Sequence, residues 1–235
     1  VGKLADTNLI KDIIVSMLYD TKDLIGKKVL VTAGPTVSDI DPVRFISNNS
    51  TGKMGFAIAE EARDRGAEVT LISGPVKLDV PYGIDFSAVR TNEEMLNAVL
   101  SKFDDMDIVI KAAAVADYKI KDYSNQKIKK SSAEVSFNFI KDNDILKKLG
   151  EIKKHQILVG FAAESNNLIE NAQIKLKNKN LDYIVANDIT SKDTGFASND
   201  NRVIILSKDG CSTELDKMSK RQVARRLFNL INEKR

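Results

Sequence analysis

The sequence predicts an α/β fold, a doubly wound, Rossmann-like and mostly parallel sheet with an antiparallel edge hairpin. Three observations carry that prediction. Short apolar runs at residues 29–31, 69–72, 107–110, 157–161 and 181–185 alternate with stretches of helical periodicity, and strands alternating with helices build βαβ units and parallel sheets. The run Val29, Leu30, Val31 has no polar gap, as in a strand covered on both faces. Residues 203–206 and the segment beyond Lys208, Asp209 and Gly210 read as two strands joined by a tight turn.

The elements follow in order. Residues 1–24 read as a leading helix, with Leu9, Ile10, Ile13, Ile14, Met17 and Leu18 on one face. It either covers a sheet or connects to an upstream domain. After the strand at 29–31 a long polar loop carries Asp41, Arg44, Asn48, Asn49 and Lys53 into a helix, with Ser50 or Thr51 as its N-cap and Gly66 as its stop. A strand, a loop and a helix N-terminus in sequence form a common phosphate-holding arrangement. The strand at 69–72 closes on Ser73, Gly74 and Pro75, and a short extended piece falls at 87–89. Thr91 caps the next helix with Glu94 completing a capping box; Met95, Val99 and Leu100 face inward, and the helix ends near Phe103.

The strand at 107–110 leads into residues 111–117, and residues 118–136 are the most polar stretch, with Lys119, Lys121, Lys127, Lys129 and Lys130. Residues 137–140 alternate as a strand, a short helix spans about 144–149, and a helix at 166–179 follows the strand at 157–161. The last helix covers 219–232, with Val223, Leu227, Leu230 and Ile231 inward. In such sheets ligands sit beyond the carboxyl ends of the strands, so the loops at 34–53, 73–76, 111–118, 161–167 and 186–202 matter most.

Composition bounds the function. The 235 residues are 43% hydrophobic, enough for a substantial core. A net charge of +3 is too small to argue for nucleic acid. Cys211, the single cysteine, excludes an internal disulfide and fits a reducing compartment; one histidine, His155, excludes a multi-histidine metal site. No apolar run approaches the 18 residues or so of a membrane span. The chain begins at Val1, which reads as a piece of something longer.

Three familiar motifs fail. The dinucleotide pattern G-x-G-x-x-G is absent after the first strand: Gly34 is followed by no glycine until Gly52 and Gly55, and the second strand ends in Ser73-Gly74 instead of a ribose-binding acid. The Gly52-Lys53 pair lacks the earlier glycine of a P-loop, whose place falls on Ser47, and Met54 replaces its serine or threonine. Tyr123 and Lys127 have the spacing of a short-chain dehydrogenase pair but sit in a segment with no helical pattern. Cys211 has no histidine near it in sequence and reads as an incidental thiol. The lysines of 119–130 read either as a solvated charge run or as a flap over an anionic ligand, with Lys175 and Lys179 adding two cations one helical turn apart. Together they suggest a highly charged ligand such as a nucleoside triphosphate.

Residues 41–55, DPVRFISNNSTGKMG, closely resemble the signature of phosphopantothenoylcysteine synthetase, the ligase of coenzyme A biosynthesis. The blocks at 113–118, 127–130, 160–164 and 186–188 are similar to that family in the same order, over about residues 27–232. In many bacteria this ligase is the C-terminal half of a bifunctional protein whose N-terminal half is a flavin-dependent decarboxylase. The resemblance therefore implies a connector at 1–24 and a ligase domain at 25–235, with FMN belonging only to the absent decarboxylase half. It implies a cytoplasmic homodimer that takes 4′-phosphopantothenate, L-cysteine and CTP with Mg²⁺, binding neither nucleic acid nor membrane.

The same resemblance implies roles by position. Asn48 would handle the acyl-cytidylate, Arg44 would hold a carboxylate or phosphate in its fork, and Lys127 would offset triphosphate charge. Lys111, Ala112, Ala113 and Asp117 would contact CTP from a strand end, and Asn143, Asp144, Ile145 and Leu146 from a helix start, although the family often has proline where Asn143 stands. Phe161 would supply an apolar wall, and Lys175 and Lys179 would bind phosphates. The metal ligands stay unassigned. A nicotinamide-dependent reductase and a non-catalytic nucleotide sensor are the competing classes; the first lacks its glycine pattern, and the second has no need of Asn48.

Overall fold

The computed structural model describes residues 4–129, 134–164, 166–188 and 198–233, apart from the side chains of Glu164 and Asp188. In chain order the first half holds α1 (Thr7–Met17), β1 (Lys28–Ala33), β2 (Val37–Asp39), β3 (Phe45–Ser47), α2 (Lys53–Asp64), β4 (Glu68–Ser73), β5 (Asp85–Ala88) and α3 (Asn92–Phe103). The second half holds β6 (Ile108–Lys111), β7 (Tyr118–Ile120), β8 (Phe139–Lys141), α4 (Ile145–Ile152), β9 (Ile157–Glu164), α5 (Leu168–Asn178), β10 (Tyr183–Asp188), β11 (Asp200–Ser207), β12 (Ser212–Ser219) and α6 (Lys220–Asn232).

Eight strands form one sheet in the order β12-β11-β10-β9-β6-β1-β4-β5. The six from β10 to β5 run parallel, and β11 and β12 close one edge as the antiparallel hairpin. The fold is thus the doubly wound α/β sheet that the strand–helix alternation predicts. From β1 the chain winds outward through β4 and β5, then returns to β6 on the other side of β1 and winds the other way. The strand order therefore reverses between β1 and β6, and a crevice opens beyond their carboxyl ends.

Alternation along β1 sets the two layers. Val29, Val31 and Ala33 join Phe56, Ile58, Leu227 and Phe228 in a core under α2 and α6. Leu30 faces the opposite core, with Met95, Val99, Phe103, Ile145 and Leu149 from α3 and α4. Each side of the sheet is covered, which is why the strands read as unbroken apolar runs. Leu100, expected inward, is only partly buried at the edge of this second core.

The approach of α2 to β1 needs glycine. A Cβ on Gly55 would stand 2.5 Å from the Ala33 Cβ, so the helix could not lie this close with any other residue there. The N-cap differs from the expected Ser50 or Thr51: Gly52 takes the position at φ 78°, a left-handed conformation that suits glycine, and no side chain caps the helix there. Ser50 instead accepts the Gly52 N–H at 3.3 Å through its hydroxyl. Gly66, at φ 92°, ends α2 as expected, donating to the Arg63 carbonyl. The capping box at Thr91 and Glu94 forms as the sequence predicts.

Two small hairpins go beyond the sequence reading, in which only β8 is expected, at 137–140. β2 and β3 pair inside the long loop after β1, and β7 pairs with β8 across the polar stretch. The Ile120 N–H donates to the Ser38 hydroxyl at 2.9 Å and joins the two hairpins. Helix α1 lies against α2 with none of its residues buried. It is held by polar ties, chiefly the Arg63 guanidinium to both oxygens of Asp12 at 2.8 and 2.6 Å, while Leu9, Ile14, Met17 and Leu18 stay exposed. It does not form the sheet cover that its apolar periodicity allows. Among the described residues no helix is long and apolar enough to cross a membrane.

Candidate functional site

The crevice at the strand reversal is built by two loops that zip together. Beyond β6 the N–H groups of Ala112, Ala113 and Ala114 donate to the Thr32 carbonyl, the Thr32 hydroxyl and the Gly34 carbonyl, at 3.1, 3.3 and 2.9 Å. Pro35 and Ala114 pair as an isolated parallel bridge. The Asn48 side-chain amide donates to the Ala114 carbonyl at 2.8 Å, so this exposed asparagine lies on the strand-end loop of Ala112 and Ala113. The hairpin of β2 and β3 supplies the reach that carries Asn48 back across the crevice.

On one side of the crevice stands a cluster of charge. Lys111, at the end of β6, donates to the Ala113 carbonyl at 3.2 Å. Desolvation, aided by the charge of Lys179, pushes its amino group down to about 8, while Asp144 and Asp117 act the other way. Lys179 donates to Asp144 Oδ1 at 3.1 Å and forms an ion pair with Oδ2 at 2.9 Å. Asp144 is the N-cap of α4 and accepts the Lys147 N–H. Burial raises its pKa, but these hydrogen bonds outweigh burial and hold the carboxyl below its ordinary range.

The loops around this cluster are tied by Asn92, whose amide donates to the Asn143 carbonyl at 2.9 Å and the Ala116 carbonyl at 3.4 Å. The Asp117 carbonyl accepts the Asp142 N–H at 2.9 Å. Asn92 is a site residue that the sequence reading missed. A buried asparagine at the first turn of a capped helix carries no sequence signal of its role.

Other candidate residues are placed differently. Ile145 and Leu146 are core side chains, 0% and 6% exposed, so a ligand at the start of α4 would meet their backbone and not their side chains. The Arg44 fork is occupied: Nε and Nη2 donate to Asp41 Oδ2 at 3.0 and 2.5 Å, and Nη2 also donates to the Ile128 carbonyl at 2.9 Å. Lys127, next to Ile128, is exposed. Phe161 lies on β9 one residue beyond Gly160, the register partner of Lys111, and packs against the core under α2. Lys175 is partly buried on α5, one turn before Lys179. Lys130 lies outside the described residues, as do the Glu164 and Asp188 side chains and residues 189–197 of the last strand-end loop.

Among the described residues no three His, Cys, Asp or Glu side chains group to hold a metal ion. Cys211 and His155 are both exposed. A cavity of about 460 Å³ between α2, residues 78–79 and the start of α6 is lined by Lys53 and Asn199 but by none of the residues to which the resemblance gives a role.

A doubly wound sheet with amides, lysines and a capped helix start gathered at its strand reversal defines an α/β domain with a polar crevice where such sheets hold their ligands. The chain belongs to the family described as the DNA/pantothenate metabolism flavoprotein C-terminal domain, whose model matches residues 24–234. It is 51% identical over 211 residues to the coenzyme A biosynthesis bifunctional protein CoaBC of Bacillus subtilis (strain 168), covering 89% of this chain and 51% of that protein. The chain thus spans about half the length of that relative. The solved C-terminal domain of a coenzyme A biosynthesis bifunctional protein CoaBC superimposes with a TM-score of 0.78 at 43% identity, covering 90% of this chain and 96% of that one. A Cab2 variant in complex with phosphopantothenate-cysteine shares the fold, with a TM-score of 0.70 at 17% identity over 99% of this chain and 95% of that one.

Proposed function

We propose that this chain is a phosphopantothenate–cysteine ligase of coenzyme A biosynthesis that uses CTP. The observation that carries the reading is the convergence of Asn48, the loop of Ala112 and Ala113, and the Lys111–Lys179–Asp144 cluster on one crevice. Family membership supports it, as does the coenzyme A biosynthesis role named for the relatives.

The reaction needs two anions brought together. A carboxylate oxygen of 4′-phosphopantothenate attacks the α-phosphorus of CTP, and the bond to the pyrophosphate leaving group breaks. The cysteine amine then attacks the acyl carbon, loses a proton and expels CMP. No side chain has to act as a nucleophile; positioning and charge neutralisation suffice. Lys111, Lys175 and Lys179 supply positive charge to the phosphates, and Lys127 adds its own from the flap. The backbone at Asn143, Asp144, Ile145 and Leu146 and the exposed Asp117 bound the nucleotide pocket, and Phe161, packed on the α2 side of the sheet, meets the ligand only where its partly buried ring reaches the strand end. Asn48 donates its amide to the acyl oxygen as negative charge develops there, exchanging the Ala114 carbonyl for the substrate. Arg44 reaches a ligand only by giving up part of its present bonding to Asp41 and Ile128.

Mg²⁺ would be held mainly by the phosphate oxygens of the ligand and water, because the described residues offer no group of three side-chain ligands, and Asp117 is an exposed carboxylate close to Lys111. It supplies charge neutralisation to the triphosphate when bound.

Two copies of the chain form the working unit in this reading. Phe45, Tyr118 and Phe139 on the two small hairpins stay exposed, at 53%, 55% and 48%, and supply apolar surface for such a contact. Residues 1–24 serve as the connector to an FMN-dependent decarboxylase half, and the protein works in the cytoplasm.

The test uses the 235-residue chain as it is. With 4′-phosphopantothenate, CTP and Mg²⁺ it releases pyrophosphate; adding cysteine releases CMP. Absence of substrate-dependent pyrophosphate would overturn the reading. Sedimentation showing a monomer at micromolar concentration would overturn the dimer.

A further inference from the structure

We infer that Asp41 is a positioning residue for Lys127: its buried carboxylate, with Arg44, clamps the peptide next to that lysine. Asp41 is 2% exposed and touches no open surface of the crevice. Its Oδ1 accepts the N–H groups of Val43 and Arg44, both at 2.9 Å, which fixes the turn that begins the β2–β3 hairpin's return. Its Oδ2 accepts the Arg44 guanidinium and, at 3.1 Å, the Ile128 N–H from 87 residues further along the chain. Arg44 Nη2 donates to the Ile128 carbonyl at 2.9 Å. One ion pair therefore grips both polar groups of Ile128. A second tie, from the Ser124 N–H to the Ile40 carbonyl at 3.0 Å, secures the other end of the same short segment.

An ionised carboxylate offers only acceptor positions, and here five donors fill them. Asp41 cannot also hold a phosphate, which it would repel. Its effect has to pass through what it grips. Lys127 precedes Ile128 directly and is itself exposed, so the clamp fixes the backbone from which a long, otherwise unconstrained amine projects. Arg44 holds the Asp41 carboxyl well below the usual range, against the opposing effect of burial, so the clamp stays charged throughout the neutral range.

The role assigned to Lys127 rests on the ligase reading; the clamp on Ile128 does not, and the experiment separates them. Asp41→Asn keeps the shape and removes the charge. Hydrogen exchange at the Ile128 amide should rise at least about tenfold and trypsin should cut faster after Lys127 and Lys129, with the melting midpoint of the sheet little changed. Pyrophosphate release should fall about 10²-fold in kcat with KM for 4′-phosphopantothenate near its original value. In the Asp41→Asn, Lys127→Ala double variant the loss should match Lys127→Ala alone. Unaltered Ile128 exchange overturns the clamp, and a normal kcat, or additive losses, overturns positioning through Lys127. If Asp41→Asn does not fold, Arg44→Gln removes the grip on the Ile128 carbonyl and is judged by the same exchange measurement. If the original chain releases no pyrophosphate, the ligase reading fails while Ile128 exchange still decides the clamp.

Discussion

Between α2 and α6, Glu61 and Asp64 are fully buried and meet matching donors: Glu61 accepts from Tyr19 at 2.5 Å and Arg221 at 2.7 Å, and Asp64 from Arg63 and Arg221. At the strand reversal the balance is different. Lys111 finds a carbonyl and a neighbouring lysine, with Asp144 already engaged by Lys179. The titration behaviour separates the two places. Desolvation lowers the pKa of Arg63 and Arg221, but their carboxylate partners reverse it and both end above their ordinary value. For Lys111 desolvation wins and the amino group falls to about 8. A seam whose charges cancel holds α1, α2 and α6 together; a crevice short of negative charge is prepared for a ligand that brings it.

The comparison breaks most sharply if seam and crevice residues affect the same property. Glu61→Ala leaves Tyr19 without its buried acceptor and removes one of the three carboxylates that hold Arg221, and should cost about 3 kcal/mol of stability by urea titration. The folded fraction should keep its KM values. A loss below about 1 kcal/mol would show that the seam does not staple the helices.

Lys127→Ala should do the reverse: pyrophosphate release falls about 10²–10³-fold and the urea midpoint stays in place, as suits an exposed side chain. A normal first half-reaction would remove Lys127 from the nucleotide step. For Asn48→Ala the expected loss is about 10²-fold in CMP release on adding cysteine, with pyrophosphate release less affected, so that the acyl-cytidylate accumulates. Unaltered turnover would leave its bond to Ala114 as a purely structural one.

What the sequence makes legible here is what is local. β1, the capping box of α3 and the stop at Gly66 follow from residues adjacent in the chain. β2, β3 and β7 are three residues each and polar in part, too short to show a period; only β8 overlaps the strand expected at 137–140, and the two hairpins are joined through Ser38 and Ile120, 82 residues apart. The N-cap of α2 reads as Ser50 or Thr51 because both are good capping residues, but the turn requires the left-handed conformation and Gly52 takes it. The site divides in the same way. Asn48 is visible as a polar residue of the long loop and Lys179 as a cation on a helix, and Lys111 and Asp144 gain roles only through the resemblance, whereas Asn92 and the Asp41–Ile128 tie depend on contacts spanning 51 and 87 residues that no pattern announces.

Lys111 offers the finest test of the contrast, because its sign is fixed in advance. Its folded pKa of about 8 lies below the ordinary lysine value of 10.5, so between those values the unfolded chain binds a proton that the folded chain has lost. This group's contribution to stability therefore rises with pH across that window and is flat below it. A triphosphate beside Lys111 restores the charged form. CTP binding at pH 9 should then take up close to one proton, while binding at pH 7 takes up little, and affinity should fall by at most tenfold per pH unit above 8. Calorimetry in two buffers of different ionisation enthalpy measures that uptake directly, and Lys111→Met should abolish its rise. Proton uptake that does not change between pH 7 and 9 would mean that the crevice, like the seam, already balances its own charge.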